Sequence, residues 1–326
     1  MTVKIFSNDE LIPFNWRLNS GKSHVWCFNP GLTRLNDQWL MVYRVVLSDQ
    51  KRRLALCLLD NELQVISGSV IGISDLIEFD PKADFTEHVK NWFADPRIYW
   101  LDEKLLIYFN SGWHDPINHQ FICELDPKSL MPITFARELK LRGARQQIEK
   151  NWMLFGNDPC FAVYSVSPHC VLNLDLKAEG DIWCERVSHI AWNTPGHFPV
   201  SSLRGGAPPQ LLNGHYYSFC HFAQATSAGP KYEVAVYTFS AAFPFRPSRA
   251  PRHSLALGNP QAGPRSRPQL NPAVSEVIYP CGSILHEDSW FVSYGINDES
   301  CAISTLARET VDQSMSAIGD FAFRRE

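Results

Sequence analysis

The chain has 326 residues, of which 45% are hydrophobic and 20% charged, and its net charge is -4 at pH 7. This composition is ordinary for a globular protein, and the slightly acidic balance gives no electrostatic reason to expect a nucleic acid or an anionic membrane as partner. No apolar run reaches about 18 residues, so no transmembrane helix is expected. The length suits one large domain or two small ones.

The N-terminal segment, MTVKIFSNDELIPFNW, has no basic stretch leading into an apolar one, so we expect no signal peptide. Nine cysteines are scattered along the chain, and none forms a CxxC pair. An odd number of cysteines without metal-type spacing indicates reduced thiols and a cytoplasmic location. We therefore expect no metal and no organic cofactor.

The predicted elements, taken in chain order, are almost all short strands rich in β-branched and aromatic residues. They read WLMVYRVV, RLALCLLD, KLLIYFN, FICELD, CFAVYSV, HCVLNLD, HYYSFCHF, EVAVYTF, SWFVSYG and CAISTLA. Polar pairs between apolar runs predict tight hairpin turns at Asn36-Asp37, Asp102-Glu103, Asn213-Gly214 and Glu287-Asp288. Helical periodicity is weak, and the one candidate helix spans residues 84–95.

One pattern recurs five times, at intervals of about 55 to 75 residues. Each copy begins with a small polar, Gly or Pro group and continues as a strand, a polar turn and an aromatic-rich strand. The copies are NPGLTRLNDQWLMVYRV from Asn29, ADPRIYWLDEKLLIYFNSG from Ala94, EKNWMLFGNDPCFAVYSV from Glu149, RGGAPPQLLNGHYYSFCHF from Arg204 and YPCGSILHEDSWFVSYGIND from Tyr279. Repetition of one supersecondary unit is typical of propellers and arrays.

We predict an all-β fold, a single five-bladed β-propeller domain over residues 1–326. Five sheets around a channel explain the repeat, the strands and the scarcity of helices. A two-sheet sandwich is the alternative, although a sandwich does not require the polar group at the head of each copy. The Pro- and Arg-rich segment 243–272 is predicted to be a long ordered loop between blades four and five.

Six short motifs in this chain resemble a known family. They are ADPRIYW, EKNWMLF, RGGAPP, the histidine of YSFCHF, YPCG and YGIND. Their order over residues 25–306 resembles the five-bladed propellers of glycoside hydrolase family 130, the β-mannoside phosphorylases, and the related β-1,2-mannosyltransferases. The resemblance implies an inverting enzyme that acts on an oligosaccharide or sugar phosphate, with inorganic phosphate or mannose 1-phosphate as cosubstrate. Homo-oligomers are frequent in the family, and oligomeric state stays open here.

The resemblance places catalysis at Asp95, which matches the family's general acid and would be the base in synthesis. Cleaving a glycosidic bond requires a proton on the leaving oxygen, which a carboxylic acid can supply. A phosphorylase needs cations for phosphate in place of a second carboxylate. Arg44 and His221 match family positions that contact phosphate, and Lys150 and Arg204 offer further donors.

Three residues are expected to orient the sugar: Asn29, Asn151 and Asp298. Arg97 is expected to anchor Asp95 or to bind substrate. Each assignment has a structural alternative. Asp95 precedes a proline and could only open a turn, and Asp298 could form an Asx turn. Arg97 could serve a salt bridge, and Arg204 could belong to a Gly-rich turn.

Two departures from the family pattern bear on the reaction. The third copy reads LFGNDP, with Gly156 and Asn157 where the family's phosphorylases usually carry an Arg-Lys pair, and Ala94 stands where an acidic residue is common. We favour phosphorolysis or phosphate-linked mannosyl transfer. Hydrolysis of a β-mannoside is the first alternative and requires another carboxylate opposite Asp95. The second alternative is a sugar-binding propeller without catalysis.

Overall fold

The computed structural model describes residues 1–20, 24–112, 118–146, 149–193, 198, 202–227, 229–258, 269–271 and 276–319. Strands dominate these residues, and the helices are few and short. The all-β prediction is therefore confirmed. In the described part of the chain, no helix is both long and apolar enough to cross a membrane.

The described strands, numbered in chain order, are β1 Thr2–Ile5, β2 Trp26–Leu35, β3 Gln38–Val46, β4 Arg52–Leu59, β5 Ile71–Gly72, β6 Ala94–Leu101, β7 Lys104–Asn110, β8 Gln120–Leu125, β9 Arg137–Leu141, β10 Met153–Phe155, β11 Cys160–Ser165, β12 His169–Leu174, β13 Ile182–Ile190, β14 Gln210–Leu212, β15 His215–Thr226, β16 Gly229–Ser240, β17 Pro247–Pro251, β18 Glu276–His286, β19 Ser289–Ile296, β20 Ser300–Ala307 and β21 Met315–Ala317. The helices are α1 Asn8–Leu11, α2 Phe14–Ser20, α3 Glu87–Lys90 and α4 Arg308–Gln313, and a 3-10 turn covers Ser74–Leu76.

The strands form five antiparallel units, and each unit contains one copy of the repeat. In order along the chain, the units are β2-β3-β4-β5, β6-β7-β8-β9, β10-β11-β12-β13, β14-β15-β16-β17 and β18-β19-β20 with β1 added. Short parallel pairings join β9 to β13 and β16 to β18. Because β1 pairs with β20, the first described strand completes the last unit.

Five hydrophobic clusters lie between neighbouring units. Representative pairs across the boundaries are Val42 with Ile107, Tyr108 with Leu154, Phe155 with Phe239, Phe219 with Val292, and Trp39 with Ile303. The last pair joins the first unit to the fifth. Buried apolar side chains therefore lie at each of these boundaries, including the boundary between the fifth unit and the first.

The hairpin turns form where the polar pairs predicted them. Asn36, Asp102, Asn213 and Glu287 have φ values of 53°, 50°, 51° and 46°. Positive φ matches the twist of two-residue hairpins, and Asn and Asp tolerate it best. The predicted helix over residues 84–95 is shorter, because α3 covers only Glu87–Lys90 and β6 begins at Ala94.

The segment 243–272 is not a loop throughout, so this part of the prediction is corrected. Pro247–Pro251 forms β17, in which Arg249 pairs with Thr238 of β16 and with Ala317 of β21. Its prolines stand at the two ends of the strand, where a missing N–H is tolerated. Residues 259–268 and 272 lie outside the described residues.

Candidate active site

Three units carry a residue in the left-handed conformation near the start of their first strand. These residues are Asn29, Asp95 and Asn151, with φ values of 54°, 48° and 64°. Asn and Asp adopt this conformation more readily than other non-glycine residues. In β2 and β6 the pairing register also shifts directly after the residue, and such bulges re-aim side chains. The repeat therefore places a polar side chain at an equivalent point of three units.

Asn29 is packed against Gly295 of the YGIND motif. A Cβ at Gly295 would lie 2.0 Å from Asn29 Oδ1, so any larger residue here would force the Asn29 side chain to move. Asn29 is 3% exposed, and its Nδ2 donates a hydrogen bond to Asp95 Oδ1 at 2.8 Å. The close approach of Gly295 thus holds the amide that contacts the proposed catalytic carboxylate.

Asp95 is held through one of its two carboxylate oxygens. Asn29 Nδ2 and Arg44 Nη1 lie 2.8 Å and 3.4 Å from Oδ1. Within the described residues Oδ2 has no hydrogen-bond partner, which leaves it for a substrate. Burial raises the pKa of Asp95, but Arg44 and Lys150 outweigh burial and bring the net pKa below its ordinary value. At neutral pH Asp95 is therefore a carboxylate that can accept a proton.

Arg97 is fully buried, at 0% exposure, and its guanidinium hydrogen-bonds to the backbone around Asp95. Its guanidinium donates to the carbonyl oxygens of Asp95 at 3.0 Å and Gly206 at 2.7 Å, and to the Tyr279 hydroxyl at 2.7 Å. Tyr279 in turn donates to Asn151 Oδ1. Arg97 does not line either cavity described below. Of the two roles expected for Arg97, these contacts match the anchoring of Asp95, because fixed oxygens satisfy its buried charge. A direct contact of Arg97 with substrate or phosphate stays a prediction.

A cavity of about 360 Å³ lies beside Asp95, within the range of small-ligand sites. It is lined by seven of the residues that the sequence singled out, namely Asn29, Arg44, Asp95, Lys150, Asn151, His221 and Asp298. The lining also contains polar and aromatic residues that sequence reasoning missed: Arg52, Trp92, Asn110, Tyr232, Asn271 and Tyr279. We call this space the first cavity.

Two arginines bring positive charge to the first cavity while resting on aromatic rings. The Arg44 guanidinium lies 5.0 Å from the Phe28 ring centre, and that of Arg52 lies 4.8 Å from the Trp92 ring centre. Burial, followed by the charge of Arg44, lowers the pKa of Arg52 to about 10. Arg52 therefore stays cationic near neutral pH, and the two guanidinium groups can attract an anionic substrate.

Two other ionisable groups of the first cavity have shifted pKa values. Burial raises the pKa of Asp298, whose Oδ2 accepts a hydrogen bond from Asn271 Nδ2 at 3.2 Å. Burial, followed by the charge of Lys150, lowers the pKa of His221 to about 3. His221 is therefore neutral near pH 7. His221 can therefore offer phosphate a hydrogen bond but no charge, and its contact with phosphate stays a prediction.

A second cavity of about 720 Å³ adjoins the first. The two share Lys150, Asn151, His221 and Tyr232. Arg204 lines only the second cavity, and its backbone pairs with that of His221 through N···O distances of 2.8 and 3.1 Å. The predicted site residues are thus divided between two connected spaces, with Arg204 away from Asp95.

Of the cavity residues that sequence reasoning missed, some occupy a position in the repeat and others do not. Tyr279 precedes Pro280 at the head of the fifth copy, as Asn29 and Asp95 precede prolines in the first and second copies. The repeat itself therefore marks Tyr279. Arg52 begins β4 and Trp92 follows α3, and both lie outside the copies, so no repeat position marks them.

No protein-family model matches the sequence, and no curated protein matches it. Solved structures match the fold. The β-1,2-mannobiose phosphorylase of Listeria innocua, solved with β-1,2-mannobiose, gives a TM-score of 0.60 at 13% identity and covers 96% of this chain and 99% of its own. A second structure comes from work on the GH130 family of mannoside phosphorylases, which contains glycoside hydrolases that target β-1,2-mannosidic linkages in Candida mannan. It gives a TM-score of 0.66 at 13% identity, over 96% of this chain and 94% of that one.

The third structure is MPT-4, a mannose phosphorylase of Leishmania mexicana solved with a phosphate ion. Its TM-score is 0.52 at 12% identity, over 93% of this chain and 90% of that one. At such identities the likeness shows a shared fold, while function depends on the site. The resemblance of the sequence motifs to the GH130 proteins is thus confirmed at the level of the fold.

Proposed function

We propose that the five antiparallel units are the blades of a five-bladed β-propeller that forms one domain over residues 1–326. Two observations support this arrangement. Hydrophobic clusters lie at the five unit boundaries, and β1 completes the unit formed by the last copy. In a propeller the first strands of the blades surround a channel, so the polar heads of the copies would meet at its mouth.

We further propose that the protein is an inverting carbohydrate-active enzyme that transfers a mannosyl group between phosphate and an acceptor sugar. The observation that carries this proposal is the pairing of one carboxylate with several cations in the first cavity. Asp95 lines the cavity and its Oδ2 has no hydrogen-bond partner among the described residues, and Arg44, Arg52 and Lys150 line the same cavity. The mannose and phosphate specificities are those that the names of the similar structures state for those proteins.

The chemistry can be written from the residues present. In synthesis, an acceptor hydroxyl attacks C1 of mannose 1-phosphate while the bond from C1 to the phosphate oxygen breaks. Asp95 Oδ2 takes the hydroxyl proton, and phosphate leaves with the bonding electrons. Arg44 and Lys150 stabilise the charge on phosphate. In phosphorolysis Asp95 is the acid, and phosphate is the nucleophile in place of a water activated by a second carboxylate.

The test is to incubate the purified protein with mannose 1-phosphate and a panel of neutral acceptor sugars while measuring phosphate release. We expect release to require both an acceptor and Asp95, and Asp95→Asn to lower the rate about 10²- to 10⁴-fold. Asp37→Asn is the matched control, because Asp37 is exposed in the first hairpin turn. Phosphate release that is the same with and without an acceptor sugar would contradict the proposal. Full activity of Asp95→Asn would also contradict it.

Hydrolysis is the second candidate, because Asp298 supplies another carboxyl group in the first cavity. Burial raises the pKa of Asp298, while the net pKa of Asp95 is lowered despite burial, by Arg44 and Lys150. An inverting hydrolase uses such a pair, one carboxyl as acid and the other as base. Release of mannose from β-mannosides without phosphate, lost in Asp298→Asn, would favour this candidate. Binding of mannosides without either reaction would favour a non-catalytic sugar-binding protein.

A further inference from the structure

The second cavity is larger than the first and takes no part in the chemistry proposed at Asp95. It continues from the first cavity past Lys150, Asn151 and His221, which line both. A substrate held at Asp95 can therefore extend into it without leaving the protein surface. Its volume of about 720 Å³ is enough for a sugar with a substituent.

The charge of the second cavity is positive. Arg186, Arg204 and Lys150 line it, and all three are exposed to solvent. Within the described residues Arg186 forms no salt bridge. Its guanidinium lies 5.9 Å from the Tyr164 ring centre. Exposed cations that line a concave surface attract anions at little cost in desolvation.

Glu149 is the one carboxylate among the described residues of this cavity lining, and it is already occupied. Its Oε2 accepts from Arg145 Nε at 2.8 Å, and its Oε1 accepts from the Gln146 backbone N–H at 3.0 Å and from the Tyr164 hydroxyl at 2.6 Å. Glu149 is 2% exposed. Its charge is therefore matched by Arg145 and does not neutralise the cations that face the ligand space.

A second observation points to a ligand at the junction of the cavities. His221 is 7% exposed, it is neutral near pH 7, and its Nδ1 has no hydrogen-bond partner among the described residues. A buried polar atom without a partner is costly, so a ligand group at this point would stabilise it. Tyr164 and Tyr232 add aromatic faces of the kind that cover sugar rings.

Inorganic phosphate alone does not account for both sets of cations. The first cavity already has Arg44 and Arg52 beside Asp95, whereas Arg186 and Arg204 line only the second. We propose that the second cavity binds a phosphorylated sugar, a phosphate monoester that serves as acceptor in synthesis and as leaving sugar in phosphorolysis. This proposal rests on the mannosyl-transfer function proposed above, and its binding test does not need turnover.

The binding test uses isothermal titration calorimetry on the Asp95→Asn protein, so that no turnover occurs. The probes are mannose 6-phosphate, glucose 6-phosphate, unphosphorylated mannose and inorganic phosphate. We expect at least one hexose phosphate to bind about tenfold or more tightly than mannose and than inorganic phosphate, because it combines charge-assisted hydrogen bonds to its phosphate with contacts to its sugar ring. Arg186→Gln and Arg204→Gln should each remove most of this preference.

Arg142→Gln is the matched control, because Arg142 is exposed, pairs with Glu185 at 3.2 Å and lines neither cavity. It should keep the full preference. The kinetic arm compares KM for the phosphorylated and free acceptor in Arg186→Gln, and we expect only the first to rise, with kcat little changed.

The outcomes separate the two proposals. Hexose phosphate binding that depends on Arg186, without turnover of any acceptor, would support the subsite and contradict the transfer function. Turnover of neutral acceptors with equal affinity for phosphorylated and free sugars would support the function and overturn the subsite. Equal affinity for inorganic phosphate and hexose phosphate would also overturn it.

Discussion

Gly295→Ala tests whether Asn29 positions the carboxylate of Asp95. An added Cβ would lie 2.0 Å from Asn29 Oδ1 and 2.9 Å from Asn29 N. A Cβ contact below 3.0 Å essentially does not occur, so the Asn29 side chain must move by about 1 Å. Asn29 is buried and its Nδ2 lies 2.8 Å from Asp95 Oδ1. A shift of this size lengthens or breaks that hydrogen bond.

The size of the effect follows from the contact that is lost. A hydrogen bond to a charged group contributes about 1.5–3 kcal/mol, which corresponds to about a 10- to 150-fold fall in kcat/KM. A misplacement of about 1 Å in a positioned group can cost about 100-fold, which agrees. The hydrogen bond also favours the charged form of Asp95, so its loss should raise the pKa and move the acidic limb of the pH profile to higher pH.

The assay is phosphate release from mannose 1-phosphate at saturating acceptor, measured across pH together with thermal unfolding. Gly319→Ala is the control, because a Cβ there meets no atom within 4 Å. Asn29→Ala and the double variant complete a mutant cycle, and the double variant should be no worse than Asn29→Ala. A folded Gly295→Ala protein with normal kcat/KM and an unchanged pH profile would refute the reasoning.

Three further expectations concern protonation and thiols. Burial raises the pKa of Asp298 above its unfolded value of 3.8, so the charged side chain lowers stability once the pH exceeds the folded pKa. Asp298→Asn should therefore raise the free energy of unfolding at pH 7 but not below pH 3.8, as measured by urea denaturation. Burial lowers the pKa of His169 from 6.5 to about 3, and burial followed by the charge of Lys150 does the same for His221. The unfolded state therefore binds more protons between these values, and the free energy of unfolding should decrease as the pH is lowered from 6.5 to about 3. His169→Phe should make this loss of stability on acidification shallower, and an unchanged slope would contradict it. The nine cysteines are free and buried, so a thiol reagent should label few of them in the native protein and nine in denaturant, and fast native labelling would count against this packing.

The fold could be predicted to the extent that local signals repeat. Alternating apolar residues and polar pairs such as Asn213-Gly214 specify hairpins without reference to the rest of the chain. The strand at Pro247–Pro251 could not be predicted in this way, because prolines suppress strand signals and its pairing with β21 depends on a distant segment. The helix near residues 84–95 was predicted too long, because β6 takes its last residues into the sheet.

The site could be predicted where its residues occupy equivalent places in the repeat. Asn29 and Asp95 share the position before a proline, and the structure brings their side chains into a hydrogen bond. Arg97 follows the same motif, but its guanidinium is turned to backbone oxygens, which no local pattern reports. Arg52 joins the first cavity from outside the copies. Its placement depends on packing between units, which becomes known only with the fold.

The most direct measurement of the central claim is the stereochemistry of the reaction, with the anomeric protons followed by proton NMR and phosphate by phosphorus NMR. The wild-type protein is mixed with α-mannose 1-phosphate and the best acceptor of the panel, and Asp95→Asn is run in parallel. We expect the α-anomeric signal to decline as a β-mannoside signal and inorganic phosphate appear in equal amounts, with Asp95→Asn almost inactive. An α-linked product, free mannose in place of a mannoside, or equal rates in the two proteins would contradict an inverting phosphate-linked transfer at Asp95.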